Sequence, residues 1–175
     1  MATLTTGLSS YKTFHQVADI GTPDVDLAKE TDFTIGRPAT LLGVEAVDLQ
    51  ILDGAGKHLK VNNFSIIVHA VSAADSDTVT EKIYGGAEAG PPQLIASIVW
   101  TIGLARPIAA TTTTLWADTA VVTSTHMKTI TVADGGGSNR VCSVTFDLTG
   151  YRYVLGLWTA TGNDPTTITA LYRTF

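Results

Sequence analysis

The segment that most constrains the fold is residues 141–175, which reads VCSVTFDLTGYRYVLGLWTATGNDPTTITALYRTF. Apolar and polar residues alternate within three pieces of this segment, and Gly, Asn, Asp and Pro separate the pieces. A period of two is typical of half-buried β-strands, and these separating residues favour turns. The segment therefore predicts an antiparallel meander whose last strand runs to Phe175.

The same alternation recurs upstream and predicts about nine strands in all, with no convincing amphipathic helix between them. The candidate strands before the meander are residues 33–36, 41–52, 59–73, 78–84, 94–104, 111–125 and 128–133. Parallel βαβ units would need helices between the strands. We therefore expect an all-β fold, an antiparallel two-sheet sandwich of jelly-roll or Greek-key type over residues 33–175, with a small closed barrel as the alternative.

Residues 1–32 lack a sustained period and are expected to form an irregular N-terminal arm. Such an arm either packs on a neighbouring subunit or is a partly ordered terminus without a role. It has no basic stretch followed by an apolar one, so no secretory signal is predicted. The longest apolar stretch, LIASIVWTIGLA at residues 94–105, is too short to cross a bilayer, and no membrane partner is expected.

The composition is poor in charge. Charged residues make up 15% of the 175, against roughly 25% in a typical soluble domain, and the net charge is −5. No cluster of Lys or Arg is present, which argues against a nucleic-acid partner. Threonine supplies 28 residues. This abundance reflects either ordinary β-propensity or an uncharged surface that packs against protein.

The sequence offers no catalytic or metal-binding motif. None of the four histidines has a metal-ligand spacing, and His69 within IIVHAV is expected to be a buried or half-buried strand residue that is hydrogen-bonded to the backbone. Asp75 and Asp77 are too few for a calcium loop and favour an ordinary turn. Cys142 is expected to be a small buried hydrophobe. We therefore predict a protein that is not an enzyme and has no cofactor and no metal.

The aromatic residues give one weak binding signal. Trp116, Tyr151, Tyr153 and Trp158 are candidate partner contacts, and Tyr151 and Tyr153 share one parity, which places them on the same face of a strand. Such rings either pack in the core with their polar atoms at its rim or form a platform on which a sugar stacks.

Residues 141–175, in particular SVTFDLTGYRYVLGLWTATG and TTITALYRTF, resemble the closing strands of small jelly-roll proteins of tailed-bacteriophage virions. Such proteins often decorate or cement the capsid, commonly as trimers, and have no catalytic residues. The resemblance implies a homo-oligomer, with a trimer favoured, on the capsid surface, bound to the major capsid protein or other virion subunits. Jelly-roll carbohydrate-binding modules share a similar hairpin, so the alternative is a carbohydrate-binding or receptor-facing β-sandwich module of a fibre or tail.

Overall fold

The computed structural model describes residues 12–18, 40–41, 44–45, 47–52, 58–71, 77–86, 93–105, 114–134, 140–161 and 167–175. Their regular structure is entirely β, which confirms the predicted all-β class. The strands are β1 (Lys12–Ala18), β2 (Thr40–Leu41), β3 (Val44–Glu45), β4 (Val47–Asp48), β5 (Gln50–Leu52), β6 (His58–Lys60), β7 (Asn63–Val71), β8 (Thr78–Gly86), β9 (Gln93–Ala105), β10 (Thr114–Ser124), β11 (Met127–Asp134), β12 (Arg140–Asp147), β13 (Tyr153–Thr161) and β14 (Thr167–Thr174).

Ten of these strands form one antiparallel sheet that branches at β7. One edge of β7 pairs with β14 along its whole length. The other edge is shared, because residues 63–67 pair with β12 and residues 69–71 pair with the start of β10. The first limb of the sheet is therefore β1-β14-β7-β12-β11, and the second limb is β10-β9-β8-β13-β4.

A single hydrophobic cluster draws on both limbs. The first limb contributes alternate residues of β7, β12 and β14, including the fully buried Phe64 and Phe146. The second limb contributes alternate residues of β8, β9, β10 and β13, including the fully buried Ile98 and Trp100. The period of two that the sequence shows thus corresponds to one buried face along each limb.

The strands predicted from residue 59 onward are found as β7 to β14, except that residues 58–60 form the separate strand β6. The antiparallel meander predicted over residues 141–175 is wrong, because its three strands are not neighbours in the sheet. Strand β12 pairs with β7 and β11, β13 pairs with β8 and β4, and β14 pairs with β7 and β1. The last strand is built into the sheet as expected, and reciprocal backbone bonds join Asn63 and Phe175 at 3.1 and 3.2 Å. The single strand predicted over residues 41–52 is wrong. That stretch is divided among β2, β3, β4 and β5, which pair with different neighbours. Alternation records which face is apolar but not whether one partner strand continues alongside. The strand predicted at residues 33–36 lies outside the described residues.

The expectation of an irregular arm fails for residues 12–18, which form β1 and pair with β14. Phe14 anchors this strand. Its ring centroid lies 5.1 Å from that of Phe64 and 5.8 Å from that of Tyr172, both edge-on, and Phe64 stacks on Tyr172 at 5.5 Å. Aromatic pairs of this kind stabilise by about 0.5–1.5 kcal/mol beyond their burial, so one ring holds a strand whose own pattern is weak. The rest of residues 1–32 lies outside the described residues.

The DLTG turn connects β12 in the first limb to β13 in the second. Asp147 Oδ1 accepts hydrogen bonds from the Thr149 hydroxyl at 2.7 Å and the Thr149 amide at 3.0 Å. These bonds favour the ionised carboxylate and hold the pKa of Asp147 below its ordinary value. Gly150 has a φ of 102°, a conformation that side-chain-bearing residues rarely adopt, which explains the glycine at this position. No helix among the described residues is long and apolar enough to cross a membrane.

Candidate interaction surface

Three of the four candidate aromatic contacts are buried. Trp116, Tyr153 and Trp158 are 5%, 4% and 5% exposed, and Tyr151 is half-buried. Tyr153 is additionally covered by Arg152, whose guanidinium carbon lies 4.9 Å from the ring centroid. A sugar-stacking platform requires ring faces open to solvent, and these residues do not provide one. Within the chain, they contribute to packing.

Trp116 belongs to a second, small cluster with Ile67 and Val141, against which Leu171 packs. The ring of His69 lies 4.9 Å from that of Trp116, centroid to centroid. Neither Trp116 Nε1 nor His69 Nδ1 has a hydrogen-bond partner in the described part of the chain, although both atoms are buried. Burial lowers the pKa of His69, which keeps the imidazole neutral at pH 7. The expected half-buried position of His69 is confirmed.

Tyr151 lies just before β13, so strand parity does not define its orientation. Its ring is 5.4 Å from that of His126, and its hydroxyl reaches Gln93 Oε1 at 3.5 Å. A Cβ atom on Gly85 would lie 2.5 Å from Tyr151 Cδ1 and 2.3 Å from Ile95 Cδ1. Glycine at position 85 is therefore what allows this ring to pack directly on the backbone of β8.

One acidic residue lies in the core, and the sequence analysis did not single it out. Glu81 is fully buried on the same face of β8 as Val79 and Ile83, and its Oε2 accepts a hydrogen bond from Trp100 Nε1 at 3.1 Å. Alternation in TVTEKI was the available signal, because it places the residue at position 81 between two apolar ones. The described residues contain no group of three or more His, Cys, Asp or Glu able to hold a metal.

The outward-facing positions of β8, β9 and β10 in the second limb are nearly free of charge. Three strands, β8, β9 and β10, are in register so that nine residues form three rows across the sheet, and we call this the threonine–valine face. The rows are Thr119, Thr101 and Thr78; Val121, Val99 and Thr80; and Thr123, Ser97 and Lys82. Lys82 is the single charged residue of the nine.

The threonine–valine face is most open along β10. Thr119, Val121 and Thr123 are exposed, and Val121 has 69% of its surface accessible, the largest fraction among the exposed large hydrophobic residues of the described chain. The β9 and β8 members are half-buried beside them. Apart from Lys82, the face presents methyl and hydroxyl groups, which offer close packing and short hydrogen bonds. Its chemistry suits adhesion to another protein.

Beyond Trp116, β10 pairs only with β9 among the described strands, and β11 pairs only with β12. The two strands are joined by the short turn at Thr125 and His126. Ile130 and Val132 of β11 are 41% and 44% exposed. The side of the molecule formed by β10 and β11 thus carries apolar residues next to unpaired strand edges.

Comparison with protein-family models, curated proteins and solved structures finds no match to this chain. The fold and the arrangement of these surfaces therefore provide the basis for a functional assignment.

Proposed function

We propose that this protein is a structural component of a tailed-phage virion, a decoration or cement protein that bridges and stabilises capsid subunits. The observation that carries the proposal is the threonine–valine face, where eight of nine side chains in three cross-strand rows are uncharged. The resemblance of residues 141–175 to jelly-roll virion proteins supports the same assignment.

The proposed architecture is a two-sheet jelly-roll sandwich in which the two limbs pack face to face. Two short connections support it. The turn at residues 125–126 joins β10 to β11, and residues 148–152 join β12 to β13, each time linking one limb to the other. Five extended residues reach about 17 Å, which is compatible with layers packed about 10 Å apart. Both limbs contribute residues to one buried cluster, as expected for the core of a two-sheet sandwich.

Uncharged β-branched rows suit a permanent contact for an energetic reason. A charged residue must lose its hydration when a partner covers it, and that cost offsets much of the attraction it gains. Threonine and valine bury methyl groups at a gain of about 25 cal/mol per Å², and threonine hydroxyls still form hydrogen bonds. A stable attachment is expected to bury about 1,600 Å² in total, which is more than one small face supplies and therefore favours contacts to several subunits.

The proposed partners are the major capsid protein or other virion subunits on the capsid surface, and the resemblance favours a homotrimer as the attached form. The carbohydrate-binding alternative receives less support, because Trp116, Tyr153 and Trp158 are buried. No observation in the described chain favours that alternative over a role in particle structure.

The test uses capsid shells from the encoding phage, grown without this gene, and the purified protein. We expect the protein to co-sediment with the shells and to raise the temperature at which they break. Thr119→Lys with Val121→Lys introduces two charges on the threonine–valine face and should reduce binding at least tenfold. Asn62→Lys, at an exposed position outside the threonine–valine face, is the matched control and should bind normally.

Absence of the protein from purified virions by mass spectrometry, together with no binding to the shells, would refute the virion assignment. Unchanged binding of the Thr119→Lys, Val121→Lys variant would instead refute the role of the threonine–valine face.

A further inference from the structure

Strand β11 has one edge that no described strand pairs with, and its sequence does little to block pairing. In the run TITVA at residues 129–133 four of the five residues are β-branched, and the run is uncharged and free of proline, which are the properties of segments that add strands readily. The only irregularity is a bulge between Met127 and Thr129, at the beginning of the strand. The edge from Thr129 to Asp134 is therefore regular and long enough to act as a template.

The two large aliphatic residues of this edge belong to the core side of the sheet. Ile130 lies opposite Val144 and Val132 lies opposite Cys142, and both partners are fully buried in the main cluster. Residues directly opposite in an antiparallel pair share a face. Ile130 and Val132, at 41% and 44% exposure, are therefore the open border of the hydrophobic core, not isolated surface residues.

We propose that a second copy of this chain pairs with this edge, β11 to β11 in antiparallel orientation, about a two-fold axis at Thr131. In this register Ile130 of each copy lies opposite Val132 of the other, so that each copy covers the exposed aliphatic side chains at the border of the other's core.

The neighbouring registers pair Ile130 and Val132 with less suitable residues of the other copy. Moving the axis to Ile130 places Val132 opposite position 128, and moving it to Val132 places Ile130 opposite position 134. In each case only one of the two aliphatic residues meets an aliphatic residue of the other copy. An axis between two residues would join the core face of one copy to the outer face of the other, since neighbouring residues in a strand point to opposite sides. Thr131 is therefore the favoured centre.

The pairing is a property of the purified chain and does not rest on the proposed role in a virion. A two-fold contact predicts dimers, or hexamers if the chain also forms trimers through another face. Light scattering coupled to gel filtration over a dilution series should show this even-numbered assembly. Ile130→Lys with Val132→Lys places like charges directly opposite each other and should halve the mass of the assembly. Leu94→Lys, at an exposed aliphatic residue of β9 outside the threonine–valine face, should leave the mass unchanged.

Cysteine cross-linking tests the register itself. Thr131→Cys brings two thiols together at the axis, with Cα atoms about 4.5–5.5 Å apart, within disulfide range. In Thr129→Cys the two thiols belong to residues offset by four positions, about 13 Å, and cannot bond. Native Cys142 does not interfere, because it is fully buried and burial raises its pKa to about 12.

We expect Thr131→Cys to form the disulfide dimer at least about tenfold faster than Thr129→Cys. A mixture of the Thr129→Cys and Ala133→Cys chains should also cross-link, because these positions are opposite each other in the proposed register. A monomer at every concentration, or equal cross-linking of the Thr131→Cys and Thr129→Cys variants, overturns the proposal. The circular dichroism spectrum of each variant must match that of the wild type for its result to count.

Discussion

The hydrogen bond from Trp100 Nε1 to the buried carboxylate of Glu81, at 3.1 Å, makes a quantitative prediction possible. Trp100→Phe removes the donor and part of the ring from a fully buried position. The lost hydrogen bond is expected to cost about 1–3 kcal/mol of the free energy of unfolding, because a buried acceptor loses a partner. The smaller ring leaves roughly 40 Å³ unfilled, which adds about 1 kcal/mol at ~24 cal/mol per Å³.

Trp116→Phe is the matched control. Trp116 is 5% exposed, and its Nε1 has no hydrogen-bond partner among the described residues. This substitution removes the same atoms without removing a hydrogen bond, so it should cost about 1 kcal/mol. The difference between the two variants isolates the contribution of the bond to Glu81. Urea denaturation followed by circular dichroism gives the free energy of unfolding for each protein.

A double-mutant cycle with Glu81→Leu separates the bond from the other contacts of each residue. The coupling between positions 81 and 100 should be about 1–3 kcal/mol, whatever each single substitution costs by itself. Additivity within about 0.5 kcal/mol would refute the reasoning, since it would mean that the two side chains do not interact in the folded protein.

Two further predictions concern the β8 backbone and the DLTG turn. Gly85→Ala should cost about 1–3 kcal/mol of unfolding free energy by urea denaturation, because its Cβ would overlap Ile95 and Tyr151; the cost should shrink in an Ile95→Val background, and an equal cost in both backgrounds would contradict the clash. The carboxyl resonance of Asp147 should titrate below its ordinary pKa of 3.8, so its stabilising effect is present above that pH and lost as the pH falls through the lower, folded-state value. Thr149→Val should move that pKa upward, and an unchanged titration would show that the hydroxyl has no part in it.

Much of the fold follows from alternation in the sequence, because a period of two identifies both the strand and its buried face. Cys142 illustrates this, since it was expected to be a buried hydrophobe and is fully buried. The branching of the sheet at β7 could not be predicted, because it depends on which strands meet β7 and where. The register shifts on either side of Ala117 could not be predicted from the sequence either, yet they determine that Thr119 and Val121 face outward.

The candidate surface was predictable only in part. Each strand of the threonine–valine face shows its uncharged positions at a spacing of two, but only the register joins them into rows. The aromatic residues were the more conspicuous signal and proved to be mostly internal, since a large ring gains more from burial than from exposure. Of the strand predicted over residues 111–125, residues 111–113 lie outside the described residues, and Thr114 pairs with Val71.

The position of β7 at the branch of the sheet determines when the chain can fold during synthesis. Its partners β12 and β14 follow it by about 75 to 110 residues, and its first residue, Asn63, bonds to Phe175. A ribosome releases the chain from the N-terminus, so NFSIIVHAV leaves the exit tunnel long before either full-length neighbour exists. Bringing such distant segments together costs loop-closure entropy, and folding dominated by non-local strand pairs is slow. The newborn chain therefore carries its most central strand without its full-length neighbours until β12 and β14 have emerged.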